Sequence, residues 1–177
     1  MQRFAPILAL SATLTVGVVQ TAALAQTSIQ SLPDGNYRFC SNPPPPNQVS
    51  DEYLVNAGYC FVFSKRGNRV VGDYYDPKTL GEESVCVGGT IRNNTLSGQG
   101  REFIGNIGRQ STPPNSNGNR LVDWDSKGYL KVARATLVGP PGGIGTYARY
   151  RSALLNLNGF HRYNPAKGQP PRDCFNR

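Results

Sequence analysis

The chain has 177 residues, 38% of them hydrophobic and 17% charged, with 19 Lys or Arg against 11 Asp or Glu and a formal net charge of +8. That length fits one domain with a sizeable core. A single histidine restricts any imidazole-based hydrolase to His161, and the wide spacing of the four cysteines excludes a zinc site in which one turn presents two thiolates.

The chain opens with Met1, Gln2 and Arg3, runs uncharged from Ile7 to Val19, and then reaches Ala23-Leu24-Ala25. A basic start, an apolar middle and a small-residue end are the parts of a secretory signal peptide, with cleavage expected after Ala25. Ser11, Thr13, Thr15 and Gly17 interrupt the run and argue against a membrane anchor, and neither a lipid-accepting cysteine nor a twin arginine accompanies it. The expectation is therefore a signal peptide over 1–25 and a single β domain over 26–177, secreted or periplasmic, with no transmembrane segment once the signal is removed. Cys40, Cys60, Cys86 and Cys174 all fall in that domain, and an even count in an exported chain points to two disulfides. Three pairings are open. The favoured one joins Cys40 with Cys60 across a proline-rich loop and Cys86 with Cys174 at the C-terminus.

The stretch PDGNYRFC reads as a turn and a short strand, after which Pro43 to Pro46 force an extended loop. Residues 59–75, YCFVFSKRGNRVVGDYY, alternate on both arms: Tyr59, Phe61 and Phe63 share one face, and Val70, Gly72 and Tyr74 oppose Val71, Asp73 and Tyr75. Gly67 and Asn68 provide the positive backbone angles of a tight reversal, so this is a hairpin. The arms SVCVGGTI and TLSGQGRE follow, joined by Asn93-Asn94, with glycines that suit the bends of a coiled sheet. Residues 108–120 form a polar loop, GYLKVARATLV another strand and GPPGGIG a second loop. In TYARYRSALLNLNGFHRYN, Tyr147, Tyr150, Leu154 and Leu157 recur at helical spacing, while Asn158-Gly159 followed by Phe160 and Tyr163 suggests a hairpin turn. Strand is preferred there and a short C-terminal helix stays open. The fold class is mostly β, a small antiparallel meander or barrel-like sheet.

Charge divides unevenly. Residues 26–126 carry nine basic and ten acidic side chains, whereas 127–177 carry nine basic ones and only Asp173. This basic C-terminal third is expected to attract polyanions, an anionic polysaccharide or an anionic lipid surface, in a salt-dependent way. Its candidate contacts are Lys131, Arg134, Arg149, Arg151, Arg162 and Lys167, interleaved with Tyr147, Tyr150, Phe160 and Tyr163. Export argues against nucleic acid as the physiological partner.

Other chemistry finds little support. No Gly-x-Ser-x-Gly elbow is present, and GPPGGIG lacks the lysine and hydroxyl residue of a nucleotide loop. DWDSKG begins like a calcium loop, but Lys127 and Arg134 stand where oxygen ligands belong, so a polar turn with Trp124 packed inward is expected. No metal, cofactor or catalytic residue is assigned. Asp73, Asp76, Glu82, Glu83 and Glu102 are the carboxylates from which a polysaccharide hydrolase would draw its pair.

LPDGNYRFC, EYLV, GNRVVGDYY, CVGG and ALLNLNGFHRYN together resemble a group of exported cyanobacterial proteins without assigned activity, over most of residues 32–174. The hairpin is also similar to a strand pair of lipocalin-type barrels, with Gly35-Asn36-Tyr37 where lipocalins carry Gly-x-Trp. The leading expectation is a secreted, non-catalytic binding or envelope-associated protein. The alternatives are a small barrel holding a hydrophobic ligand among Phe61, Phe63, Val70 and Tyr74, and the hydrolase.

Overall fold

The computed structural model describes residues 28–46, 51–79, 83–105, 116–139, 145–164 and 169–175. The expected signal peptide and Lys167 lie outside these residues.

The strands are β1 (Gly35–Cys40), β2 (Cys60–Arg66), β3 (Arg69–Tyr75), β4 (Ser84–Arg92), β5 (Thr95–Gly105), β6 (Val122–Asp123), β7 (Leu130–Val138), β8 (Thr146–Asn156) and β9 (His161–Tyr163). They form one antiparallel sheet of nine strands in the order β6-β7-β8-β5-β4-β3-β2-β1-β9. The first five strands are a meander in which each pairs with the next, and two of the four links are tight. Gly67, at φ 56°, reverses β2 into β3, and Asn93, at φ 52°, reverses β4 into β5. The mostly β class stands.

The segment left open between strand and helix is a strand, β8, followed by the Asn158-Gly159 turn into β9. Its helical spacing has a structural cause. Ala148 and Tyr150 are buried, and beyond Ser152 burial resumes at Ala153, Leu155 and Leu157. Between Gly98 and Gly100 the register with β5 slips, leaving Arg151 and Ser152 opposite Gln99. This bulge shifts the parity of the alternation by one, which in sequence imitates a period near 3.6.

The sheet does not close into a barrel, since β6 and β9 remain its edges. It curls far enough for side chains to bridge the gap. Tyr74 Oη on β3 donates to Asp125 Oδ2 in the β6–β7 turn at 2.9 Å, and Trp124 meets the Tyr74 ring edge-on at 5.7 Å. Tyr129 meets Phe160 in the same way at 5.0 Å. The concave face is the core, in which Tyr37, Phe39, Phe61, Phe63, Val85, Val87 and Leu155 are buried. Glu102 is buried there too, and Tyr150 donates its hydroxyl to it. Burial, followed by the Glu102 charge, pushes the Tyr150 phenol well above its usual range.

Tight coiling is possible because Gly89 faces Gly98 across β4 and β5. A methyl group on Gly98 would lie 2.0 Å from the Gly88 carbonyl oxygen, and one on Gly89 would lie 2.1 Å from that of Ser97. Two disulfides hold the outer side. Cys40–Cys60 joins residues directly opposite on β1 and β2, and Cys86–Cys174 ties the C-terminal segment 169–175 onto β4. Among the described residues no helix is long and apolar enough to cross a membrane.

Candidate anion-binding cleft

Alternation that sends Phe61, Phe63, Val70 and Tyr74 inward sends Ser64, Arg66, Arg69 and Val71 to the convex face. The segment 169–175 crosses this outer face. Between it and the strands lies a cleft of about 560 Å³ whose walls include Arg69, Ser97, Gln99, Arg149 and Arg172, with one carboxylate, Asp173. A second cleft of about 420 Å³ takes in Asn36, Ser64, Arg66 and Gln169, and shares Arg69, Val71 and Arg172 with the first. The two are parts of one trough. A smaller hollow of about 230 Å³ lies beyond Cys174, beside Asp73, Arg101, Phe103 and Tyr147.

Four arginines line the trough, one each from β2, β3, β8 and the C-terminal segment. Arg66 is paired directly across the ladder with Arg69, and Arg101 with Arg149. Like charges opposed on one face of a sheet are destabilising, by roughly 0.2–1 kcal/mol per pair. Neighbouring groups offset part of this. Arg66 donates to the Lys65 carbonyl at 3.0 Å, Arg149 donates to Gln99 at 3.3 Å and lies 4.9 Å over the Phe175 ring, and Arg101 stacks on Tyr147 at 3.8 Å. Arg69 and Arg172 are exposed and find no acceptor among the described residues. A guanidinium is planar and permanently charged, so such a pair is suited to carboxylate, sulfate or phosphate oxygens.

Of the five candidate contacts that lie among the described residues, only Arg149 lines the trough. Lys131 is ion-paired with Asp123 on β6. Arg134 occupies a left-handed position, φ 57°, on β7, and Arg151 sits in the β8 bulge. Arg162 lies on the edge strand β9, over the Tyr37 ring at 5.2 Å. Lys167 is outside the described residues. Sequence reasoning missed Arg66, Arg69 and Arg172. The first two were available from the outward half of the hairpin's alternation, but Arg172 required knowing where the second disulfide anchors the tail.

The remaining candidates fall elsewhere. Phe61 and Phe63 stack at 4.8 Å, and Tyr74 stacks on Tyr59 at 5.6 Å, so these rings pack in the core and away from the trough. Val70 is buried beside them. Asp73 faces outward while Glu102 faces inward, so these two carboxylates lie on opposite sides of the sheet. Asp76 caps a short turn by accepting from the Lys78 amide at 2.9 Å, and Glu83 is exposed. Glu82 is outside the described residues. The DWDSKG stretch is a polar turn in which the Asp125 carboxylate accepts the amides of Lys127, Tyr129 and Leu130 as well as the Tyr74 hydroxyl. Among the described residues no three metal-ligating side chains converge.

Compared with protein-family models, curated proteins and solved structures, the chain matches none of them.

Proposed function

We propose that this is an exported, non-catalytic binding protein that recognises polyanions through the arginine trough on its convex face. The observation that carries the reading is the assembly of Arg66, Arg69, Arg149 and Arg172 from four parts of the chain, with Arg66 set directly against Arg69. Such an arrangement costs stability in the free protein and is relieved when an anion is seated. Two disulfides agree with an oxidising compartment outside the cytoplasm, as the leading segment suggests.

The test is retention on an immobilised acidic polysaccharide in a rising salt gradient. An Arg66→Gln/Arg69→Gln variant should elute at clearly lower salt than an Arg151→Gln/Arg162→Gln variant of the same net charge. Equal elution of the two would mean that total charge alone governs retention, and the trough would lose its assignment.

A further inference from the structure

We infer that the trough takes an extended acidic polysaccharide, laid diagonally across the strands, in preference to a compact anion or a layer of lipid headgroups. The inference rests on the anion-binding reading above and specifies its ligand.

The first argument is span. Arg69 stands in a row with Thr90 and Ser97, whereas Arg149 stands in the row of Asp73, Cys86 and Arg101. Four residues along a strand and three strand spacings therefore separate their backbones, a distance of about 20 Å. A single phosphate or sulfate engages only the arginines that lean toward it, whereas an extended chain can follow the whole interval. Arg69 and Arg172 line both clefts, Arg149 only the first and Arg66 only the second, so Arg69 and Arg172 would hold the middle of a bound chain.

The second argument is what lies between the charges. The exposed side chains of Asn36, Thr90, Ser97 and Gln99 offer uncharged hydrogen-bonding groups, and Gly88 places no side chain on the floor. Asp173 adds one carboxylate to the wall, where it accepts the Phe175 amide at 2.8 Å. Four cationic points separated mostly by neutral donors and acceptors complement a polymer whose charged groups alternate with hydroxyls, which is the chemistry of an acidic glycan. The third argument is shape. The trough arginines are exposed around a recess beside the segment 169–175 on a convex face, so a flat headgroup layer would meet Arg172 on that segment without engaging the other three together, whereas a thin chain can follow the recess.

The experiment is calorimetric titration of the full mature chain with oligouronates of two, four, six and eight sugars at one low salt concentration. Affinity should rise by about tenfold or more from the shortest to the longest, because linked charges bind as one ligand, and should level off once the oligomer spans the trough. Arg149→Gln should remove most of the gain for the long oligomers and weaken the disaccharide by a much smaller factor. Vesicles containing phosphatidylglycerol should sediment equally with the wild type and with this variant. A disaccharide that binds as tightly as the octasaccharide, or vesicle binding that depends on Arg149 and exceeds that of the octasaccharide, would overturn the extended-glycan inference and leave anion binding intact. Absence of binding to every oligouronate and to the vesicles would overturn the underlying reading.

Discussion

Asp125 shows how one carboxylate can hold a curled sheet together. Buried in the β6–β7 turn, it accepts three backbone amides and, from β3, four places beyond β7 in the sheet order, the Tyr74 hydroxyl. Burial first, and then the Asp125 charge, pushes the Tyr74 phenol far above its usual range, and burial with Glu102 does the same to Tyr150. The sign of the linkage follows. Both phenols stay neutral in the folded chain but ionise near pH 10 when unfolded, so their contribution is complete below about pH 10 and is lost as pH rises further. Each such tyrosine should cost about 1.4 kcal/mol of stability per pH unit above that point. Tyr74→Phe is expected to lower stability at neutral pH by about 2 kcal/mol, through loss of a hydrogen bond to a charged acceptor. It should also flatten the alkaline decline by one tyrosine's share. Urea unfolding at pH 7 to 11 checks both effects, and an unchanged alkaline slope would show that Tyr74 titrates in the folded state.

At the level of strands, the close crossing of β4 and β5 depends on Gly89 and Gly98. Gly98→Ala would drive its methyl group to within 2.6 Å of the Gly89 Cα as well as onto the Gly88 carbonyl, and backbone on both sides leaves nowhere to move. A loss of about 3 kcal/mol or more is expected. Gly88→Ala is the internal control, because its methyl group would make ordinary contacts with Val71 at 3.6 Å and Cys174 Sγ at 3.7 Å. It should change stability by less than about 0.5 kcal/mol, and equal losses for the two variants would refute the close-approach account. Alternation made the β2–β3 hairpin and both sides of the Asn93-Asn94 turn legible in the sequence, since period two survives wherever a strand runs unbroken. It was less clear at β8, where the bulge at Arg151 and Ser152 changes parity and kept a helix open beside the preferred strand. The site was harder to read for a related reason. Charge summed along the chain drew attention to residues 127–177, but a sheet gathers side chains by face and row, and the trough takes Arg66 and Arg69 from the stretch whose net charge is slightly negative.

Across the whole molecule, the two disulfides do different work. Cys40–Cys60 joins strands that the β1–β2 ladder already aligns, over a separation of 20 residues, whereas Cys86–Cys174 spans 88 residues and fixes a segment with no strand partner. On the chain-entropy account the longer loop contributes about 4 to 5 kcal/mol and the shorter about 3 kcal/mol. Beside its disulfide, the segment 169–175 is held by the burial of Pro170 and Pro171, by the Arg101 bond to the Cys174 carbonyl at 3.4 Å and by the Arg149–Phe175 contact. The disulfide is its one covalent anchor among the described residues, so cutting it should loosen the tail and shift Arg172 in the trough. Cys86→Ser/Cys174→Ser is therefore expected to lose stability and long-oligouronate affinity together. Cys40→Ser/Cys60→Ser should lose stability while keeping that affinity, when both are titrated at a temperature where the circular dichroism of each remains native. If the loosened-tail variant binds as tightly as the wild type, the convex face holds its ligand through Arg66, Arg69 and Arg149 alone, and the staple serves only stability.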